Sequence, residues 1–313
     1  MTSIDPKLRT ALTGISGILV TPFDRQDNVA PSRLKPIVDR AVDAGVHILV
    51  ANGNTGEFYS LTTAEAETMV HAAAELVARR VPLLAGVGRS INDACALARA
   101  SRAAGASALM VHQPPDPFVS PRGVVAYVQR IADAGELPLM LYLRNDGIGL
   151  DTIEKLCAIE GVAGVKWASP TPLRLAEAIR RCGPDIVWVG GLAEPWAPPL
   201  CAVGARGFTS GLINVWPAHS VAIHAALEAG DYPRANRLIG IMSRFEEIRA
   251  EEQNGTNVTT VKAALQLIGH DCGATRPPSA WPLTEKQSAN LRTLLAEWKL
   301  LAPQKPLRRV AGT

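Results

Sequence analysis

Apolar positions along the chain fall into two alternating patterns. Short runs rich in Val, Ile, Leu and Ala occupy 16–21, 47–51, 82–87, 108–112, 138–143, 162–168, 185–191 and 205–211. These runs are apolar almost throughout, as strands buried on both faces of a parallel sheet are; a half-solvated strand would alternate. Between them lie alanine-rich stretches, among them 32–44, 63–80, 92–104 and 121–134, where Ala, Leu and Val recur at helical spacing. Start and stop signals agree with this division. Thr62 and Glu65 have the spacing of a capping box, Pro121 follows Ser120 at a first helical position, and Gly45, Gly105 and Gly135 each stand between a helix and a strand.

Eight strand–helix repeats in one chain predict an α/β fold, a closed (β/α)8 TIM barrel. An open doubly wound sheet would carry a Gly-x-Gly-x-x-Gly turn after its first strand, where this chain has Thr21-Pro-Phe-Asp24. After the eighth run the pattern becomes wholly helical, at 219–229, 232–253, 258–268 and 284–300. The expected organisation is therefore a barrel over residues 1–218 and a C-terminal helical region over 219–313 packed on it.

Composition narrows the partners. The chain has 313 residues, 47% hydrophobic and 19% charged, with a formal net charge of +3. So small a charge, with no basic cluster interleaved with aromatics, gives no reason to expect nucleic acid or an anionic membrane as partner. The run from Lys305 to Arg309 reads as a solvated basic tail. Cys95, Cys157, Cys182, Cys201 and Cys272 are scattered and odd in number, which argues against a disulfide framework and fits a reducing cytoplasm. The start of the chain lacks the apolar core of a signal peptide, and no apolar run is long enough to span a bilayer, so a soluble cytoplasmic protein is expected.

In a (β/α)8 barrel the site is built at the carboxyl ends of the strands, which gives each polar residue there a meaning. Lys166 ends the apolar run Gly161-Val-Ala-Gly-Val-Lys166. A lysine in that position either reaches water or has a lowered pKa, and a desolvated amine is the nucleophile that forms imines with carbonyl substrates. One strand earlier, Tyr142 could move the protons that imine chemistry needs, and Arg144 could clamp a second carboxylate with its planar guanidinium; a core tyrosine and a surface arginine are the plainer alternatives. The loop Asn52-Gly-Asn-Thr-Gly-Glu57 has glycines flanking a hydroxyl residue, a nest in which the Thr55 hydroxyl and the Asn54 and Thr55 amides could hold a carboxylate. Gly190-Gly191 and Ser210-Gly211 end the seventh and eighth strands, where many barrels bind phosphate; Thr209 and Ser210 could instead touch substrate hydroxyls. The six histidines show no ligand spacing with Asp or Glu, so no metal is expected. The lone Gly86-Val-Gly88 means little, and Cys95 reads as packing.

The combination Gly17-Ile-Leu-Val-Thr-Pro-Phe23, Gly53-Asn-Thr-Gly-Glu57, Tyr142 and Gly164-Val-Lys166 resembles the dihydrodipicolinate synthase/N-acetylneuraminate lyase family. The resemblance runs from about Gly14 into the final helices. It implies a barrel with C-terminal helices, a homo-oligomer (dimer or tetramer), no cofactor, and a lysine imine with a 2-oxo acid. Lys166 is then the imine-forming residue, Tyr142 the proton-transfer residue, and Asn54 and Thr55 the holders of the 2-oxo acid carboxylate.

Within the family, Gly56-Glu-Phe-Tyr-Ser-Leu-Thr62, Tyr142-Leu-Arg-Asn-Asp146 and Arg276-Pro-Pro278 are most similar to 5-dehydro-4-deoxyglucarate dehydratases. In that branch Arg144, Thr209 and Ser210 would face the distal part of a diacid. There are departures. The loop His112-Gln-Pro-Pro-Asp-Pro-Phe118 has no tyrosine where dihydrodipicolinate synthases carry a pair reaching a neighbouring subunit. Gly147 stands where those enzymes have an arginine, Asn54 replaces a small residue, and Leu143 replaces an asparagine. The expected function is a sugar-acid dehydratase or aldolase. Dihydrodipicolinate synthase itself and a catalytically silent 2-oxo-acid-binding barrel are the alternatives.

Overall fold

The computed structural model describes residues 4–301. Eight strands, β1 (Ile15–Ile18), β2 (Ile48–Ala51), β3 (Leu83–Val87), β4 (Ala108–His112), β5 (Leu139–Leu143), β6 (Val162–Trp167), β7 (Val187–Gly190) and β8 (Gly207–Ser210), close into one barrel in sequence order, with β8 paired parallel to β1. Every expected strand is present, with shifted edges. The first run stays apolar to residue 21, yet β1 ends at Ile18, because the amide of Val20 donates to the Asn214 side chain instead of a neighbouring strand.

The helices are α1 (Pro6–Leu12), α2 (Lys35–Asp43), α3 (Thr63–Val77), α4 (Ile91–Ala103), α5 (Pro121–Gly135), α6 (Leu150–Cys157), α7 (Pro172–Cys182), α8 (Ala197–Ala202), α9 (Pro217–Glu228), α10 (Tyr232–Asn254), α11 (Asn257–Leu267) and α12 (Glu285–Glu297). The capping box is formed: the Thr62 hydroxyl accepts from the Glu65 amide and the Glu65 carboxylate from the Thr62 amide. Ser120 likewise caps α5 through the Gly123 amide. Gly45 and Gly105 take the left-handed conformation, with φ of 88° and 86°. Gly135 does not; Glu136 takes it (φ 50°), and Gly135 instead gives room, since a Cβ there would come within 2.5 Å of Leu109 Cδ1.

Helix α9 follows β8 and packs on β1 and α2, completing the eighth repeat, so the helices beyond the barrel begin at α10. Helix α1, which the pattern did not suggest, sends Leu8 and Leu12 into the cluster that fills the barrel, with Ile18, Ile48, Val50, Leu84, Met110, Met140 and Val189. Among the described residues no helix is long and apolar enough to cross a membrane. The basic tail at Lys305 lies outside the described residues. Cys157 and Cys182, the last residues of α6 and α7, share a thiol hydrogen bond, which their distance in the sequence did not suggest; both thiols are free.

One irregularity decides which way Lys166 points. Leu139 pairs with Val162, but the next position, Met140, pairs with Gly164, so β6 holds one extra residue there. Val162 faces the outer helices, Ala163 the barrel interior, then Val165 and Trp167 face outward again. Strand side chains alternate strictly, and one inserted residue reverses everything after it. Without the bulge, Val165 would face inward and Lys166 outward.

Candidate active site

Lys166 stands inside the mouth of the barrel, 4% exposed, with its Nζ 3.8 Å from the centre of the Tyr142 ring, its register partner on β5. No ion pair to Lys166 forms among the described residues. Its pKa is pushed down to about 7, by burial first and by the Arg144 charge second. Tyr142 is 5% exposed, and burial raises its phenol to about 12, so it stays neutral. The tyrosine hydroxyl accepts a hydrogen bond from Asn54 Nδ2 at 3.0 Å. The nest loop is thereby tied to the Tyr142–Lys166 pair, while Asn54 Oδ1 is buried and has no protein partner among the described residues.

The nest is a 3₁₀ turn, Asn54–Gly56, ended by Glu57 in the left-handed conformation (φ 54°). A cation from the C-terminal helices holds it. Glu57 is ion-paired with Lys262 of α11 at 2.5 Å, both side chains almost wholly buried, and accepts a hydrogen bond from the amide of Arg276 at 2.9 Å. Arg276 also pairs with Glu65 and Asp27, joining the segment after α11 to the start of α3. Thr55 is buried beneath and faces the same cavity as Lys166.

Arg144 lies just beyond β5, exposed at the edge of the cavity, and hydrogen-bonds the Tyr59 hydroxyl. The carboxamide of Gln113, which the sequence did not single out, accepts from the Arg144 and Asn145 amides at 2.8 Å each and donates to the Asn145 carbonyl. His112 is buried beside Tyr142, with its ring stacked on Phe58 at 4.5 Å. Its Nε2–H donates to the Asn52 carbonyl, and burial lowers its pKa to about 3, so it is a neutral packing group.

Thr209 lines the cavity, but Ser210 does not. Adjacent strand residues face opposite sides, so only one of the pair can point inward. The Ser210 hydroxyl, fully buried behind the barrel wall, donates to Glu194 Oε1 at 2.5 Å and accepts from the Ile213 amide. Ser220 donates to the same Glu194 oxygen at 2.6 Å, and burial together with the neighbouring Glu246 raises that carboxyl to about 7. The structure thus brings Lys166, Tyr142, Asn54, Thr55, Arg144 and Thr209 to one cavity of roughly 850 Å³ and leaves Ser210 out. The far wall of this cavity comes from Glu246 and Arg249 of α10 and Asn257 of α11. No strand-end motif signals these residues, since they arrive from the helices beyond the barrel.

The fold is a (β/α)8 barrel with a polar mouth, and its family and relatives make it an enzyme, a lyase. The chain belongs to the dihydrodipicolinate synthetase family, whose model matches residues 11–298. It is 28% identical over 293 residues to a probable 5-dehydro-4-deoxyglucarate dehydratase of Oceanobacillus iheyensis, covering 92% of this chain and 94% of that one. It is 32% identical over 295 residues to a 4-hydroxy-tetrahydrodipicolinate synthase of Idiomarina loihiensis, covering 93% and 98%. Among solved structures, dihydrodipicolinate synthase from Bacillus clausii superposes with a TM-score of 0.90 at 35% identity, over 94% of this chain and 100% of that one.

Proposed function

We propose that the protein is a class I lyase that captures a hydroxylated 2-oxo acid as an imine on Lys166. The observation that carries this reading is the buried Lys166 amine beside Tyr142, with its pKa lowered to about 7. At neutral pH a large share of such an amine is the free base, the form that attacks a carbonyl.

The substrate carboxylate sits at the nest, on the Thr55 hydroxyl and the loop amides. Lys166 Nζ adds to the C2 carbonyl. Tyr142 protonates the carbinolamine oxygen, which leaves as water to give the imine. A proton then leaves C3 to form the enamine, whose electron pair expels a hydroxyl from C4 as water in a dehydratase. In an aldolase no C3 proton is lost: the C4 hydroxyl gives up its proton and becomes a carbonyl, the C3–C4 bond pair flows into the imine to form the enamine, and the enamine is then protonated at C3. Hydrolysis of the imine frees Lys166.

Relatives named as dehydratases of 5-dehydro-4-deoxyglucarate support a sugar acid as substrate, and the position of Arg144 at the cavity edge supports its role in holding a distal carboxylate. Thr209 adds a hydroxyl contact; Ser210 acts behind the wall. Exposed Phe118 and Leu173 support a homo-oligomer, and the free thiols support the cytoplasm. The second reading, condensation of pyruvate with an aldehyde, is favoured by relatives named as synthases.

Borohydride reduction with pyruvate, followed by mass spectrometry, should leave one adduct on Lys166 and none in Lys166→Ala. No adduct in the wild type would mean a silent barrel. Turnover of 2-oxo-3-deoxy sugar acids, read as water loss or as released pyruvate, separates dehydratase from aldolase.

A further inference from the structure

Helix α10 crosses the barrel mouth, and the face it turns toward the cavity is mostly polar. Ser243, Glu246, Glu247 and Ala250 stand at i, i+3, i+4 and i+7, one stripe of a helix, and all four line the cavity that holds Lys166. A helix laid on a barrel normally buries apolar side chains, and α10 does so elsewhere on its surface, with Met242, Phe245 and Ile248. Three of the four cavity-facing residues, Ser243, Glu246 and Glu247, are polar.

Glu246 is fixed in place there. Arg249 Nη1 donates to its Oε1 at 2.5 Å, and Arg249 itself is only 4% exposed. The guanidinium lies against Gly211, where a Cβ would come within 2.8 Å of Nη2. Its Nη2 and Nε donate to Oδ1 and the carbonyl of Asn257 at 2.8 and 3.2 Å. The arginine's hydrogen bonds therefore hold two cavity-lining side chains, Glu246 and Asn257. Immediately afterwards the chain runs through three consecutive non-glycine residues in the left-handed region, Glu252, Gln253 and Asn254, with φ of 51°, 58° and 69°. Such backbone is costly and persists where the surroundings over-determine it. Here Thr256 Oγ1 donates to the Ile248 carbonyl at 2.6 Å, and Gln287 Nε2 donates to the carboxylates of Glu251 and Glu252. The break ends α10 over the mouth and starts α11 at Asn257, so that Asn254 and Asn257 reach the cavity.

The cavity thus has the Lys166 amine and the Arg144 guanidinium at one side and, on α10, the carboxylates Glu246 and Glu247, with Glu246 paired to Arg249. We infer that Glu246, held by Arg249, is a specificity-determining residue that accepts hydrogen bonds from hydroxyl groups on the distal chain of the substrate. The ligand class is a 2-oxo acid with hydroxyls beyond C3. This rests on the imine reading above and adds what selects the captured acid.

The test uses borohydride trapping on the intact protein with three probes: pyruvate, 2-oxoadipate (two carboxylates, no hydroxyl) and 2-oxo-3-deoxygluconate (one carboxylate, several hydroxyls). The wild type should be half-saturated by the hydroxylated acid at a concentration well below that for pyruvate, and 2-oxoadipate should gain no such preference. Glu246→Gln keeps the size of the side chain and an oxygen for Arg249, so it should fold; a melting curve checks this. It should shrink the preference for the hydroxylated acid over pyruvate roughly tenfold, as expected when a carboxylate acceptor becomes neutral. An unchanged ratio in Glu246→Gln, or a wild type that prefers 2-oxoadipate, overturns the assignment. No adduct with any of the three probes would instead overturn the imine reading itself.

Discussion

The Lys166 amine lies over the face of the Tyr142 ring, 3.8 Å from its centre. Two opposing effects meet there. An aromatic face attracts a cation by about 0.5–2 kcal/mol. Lowering the lysine pKa from 10.5 to about 7 corresponds to roughly 5 kcal/mol against the charged amine. Burial outweighs the ring, and the amine is poised near neutrality.

The rate of imine trapping with pyruvate should therefore climb through about pH 7 and level off above it, as Lys166 loses its proton. Arg144 is a second cause of the lowered pKa, so Arg144→Ala should move the rise to higher pH. Adduct formation timed across pH 5–10 checks both, and a wild-type midpoint above 9 would contradict the buried-amine account.

The same lowered pKa costs stability. Below about pH 7 the folded amine is charged and buried, and the penalty is complete; between 7 and 10.5 only the unfolded chain keeps the proton, so the penalty fades as pH rises. Lys166→Met should raise the melting temperature most in acid and least near pH 10.5. Melting curves of both proteins over that range would show the difference narrowing.

Tyr142→Phe removes the hydroxyl that bonds Asn54 and leaves the ring beneath Lys166. Turnover should fall about 10²-fold or more, the usual contribution of a positioned proton donor, with little change in melting temperature. Steady-state kinetics beside thermal unfolding would distinguish this from a packing role.

Gly164 has no space for a side chain: a Cβ would sit 2.5 Å from the Val187 carbonyl oxygen. Gly164→Ala should push β6 from β7, destabilise the fold, and weaken adduct formation on Lys166 in the protein that remains folded. Denaturant unfolding and trapping yield measured together would test the link between the bulge and the lysine.

Lys262→Met strands Glu57 in the interior without its 2.5 Å partner. Breaking a buried pair this way costs about 3–5 kcal/mol, whereas removing both charges costs far less. Urea unfolding of Lys262→Met and of the double variant Glu57→Gln/Lys262→Met should show partial recovery in the double.

Much of the barrel was legible because its signals are local. Continuous apolar runs, the Thr62–Glu65 box and the Ser120–Pro121 start each act over a few residues, and each forms as read. Lys166, Tyr142, Asn54, Thr55 and Thr209 were legible as strand-end and loop residues once the barrel placed those ends together. Thr209 and Ser210 could not be told apart in the sequence, which names two neighbours without saying which one faces inward; the inward register took Thr209 and gave Ser210 to Glu194. Glu246, Arg249 and Asn257 were not legible at all, because they lie on helices far along the chain: α10 carries the first two over the mouth, and the broken turn at 251–254 brings Asn257 there.

The sequence by itself determined the number and order of strands, the barrel they close into, and the residue types gathered at its mouth, because periodicity and capping are short-range. Tertiary structure decided orientation and environment. The single extra residue in β6 turned Lys166 inward, burial brought its pKa near 7, and α10 laid a polar stripe over the cavity. Each of these depends on which surfaces meet across the fold, and the pattern of apolar and polar positions along one chain does not carry that information.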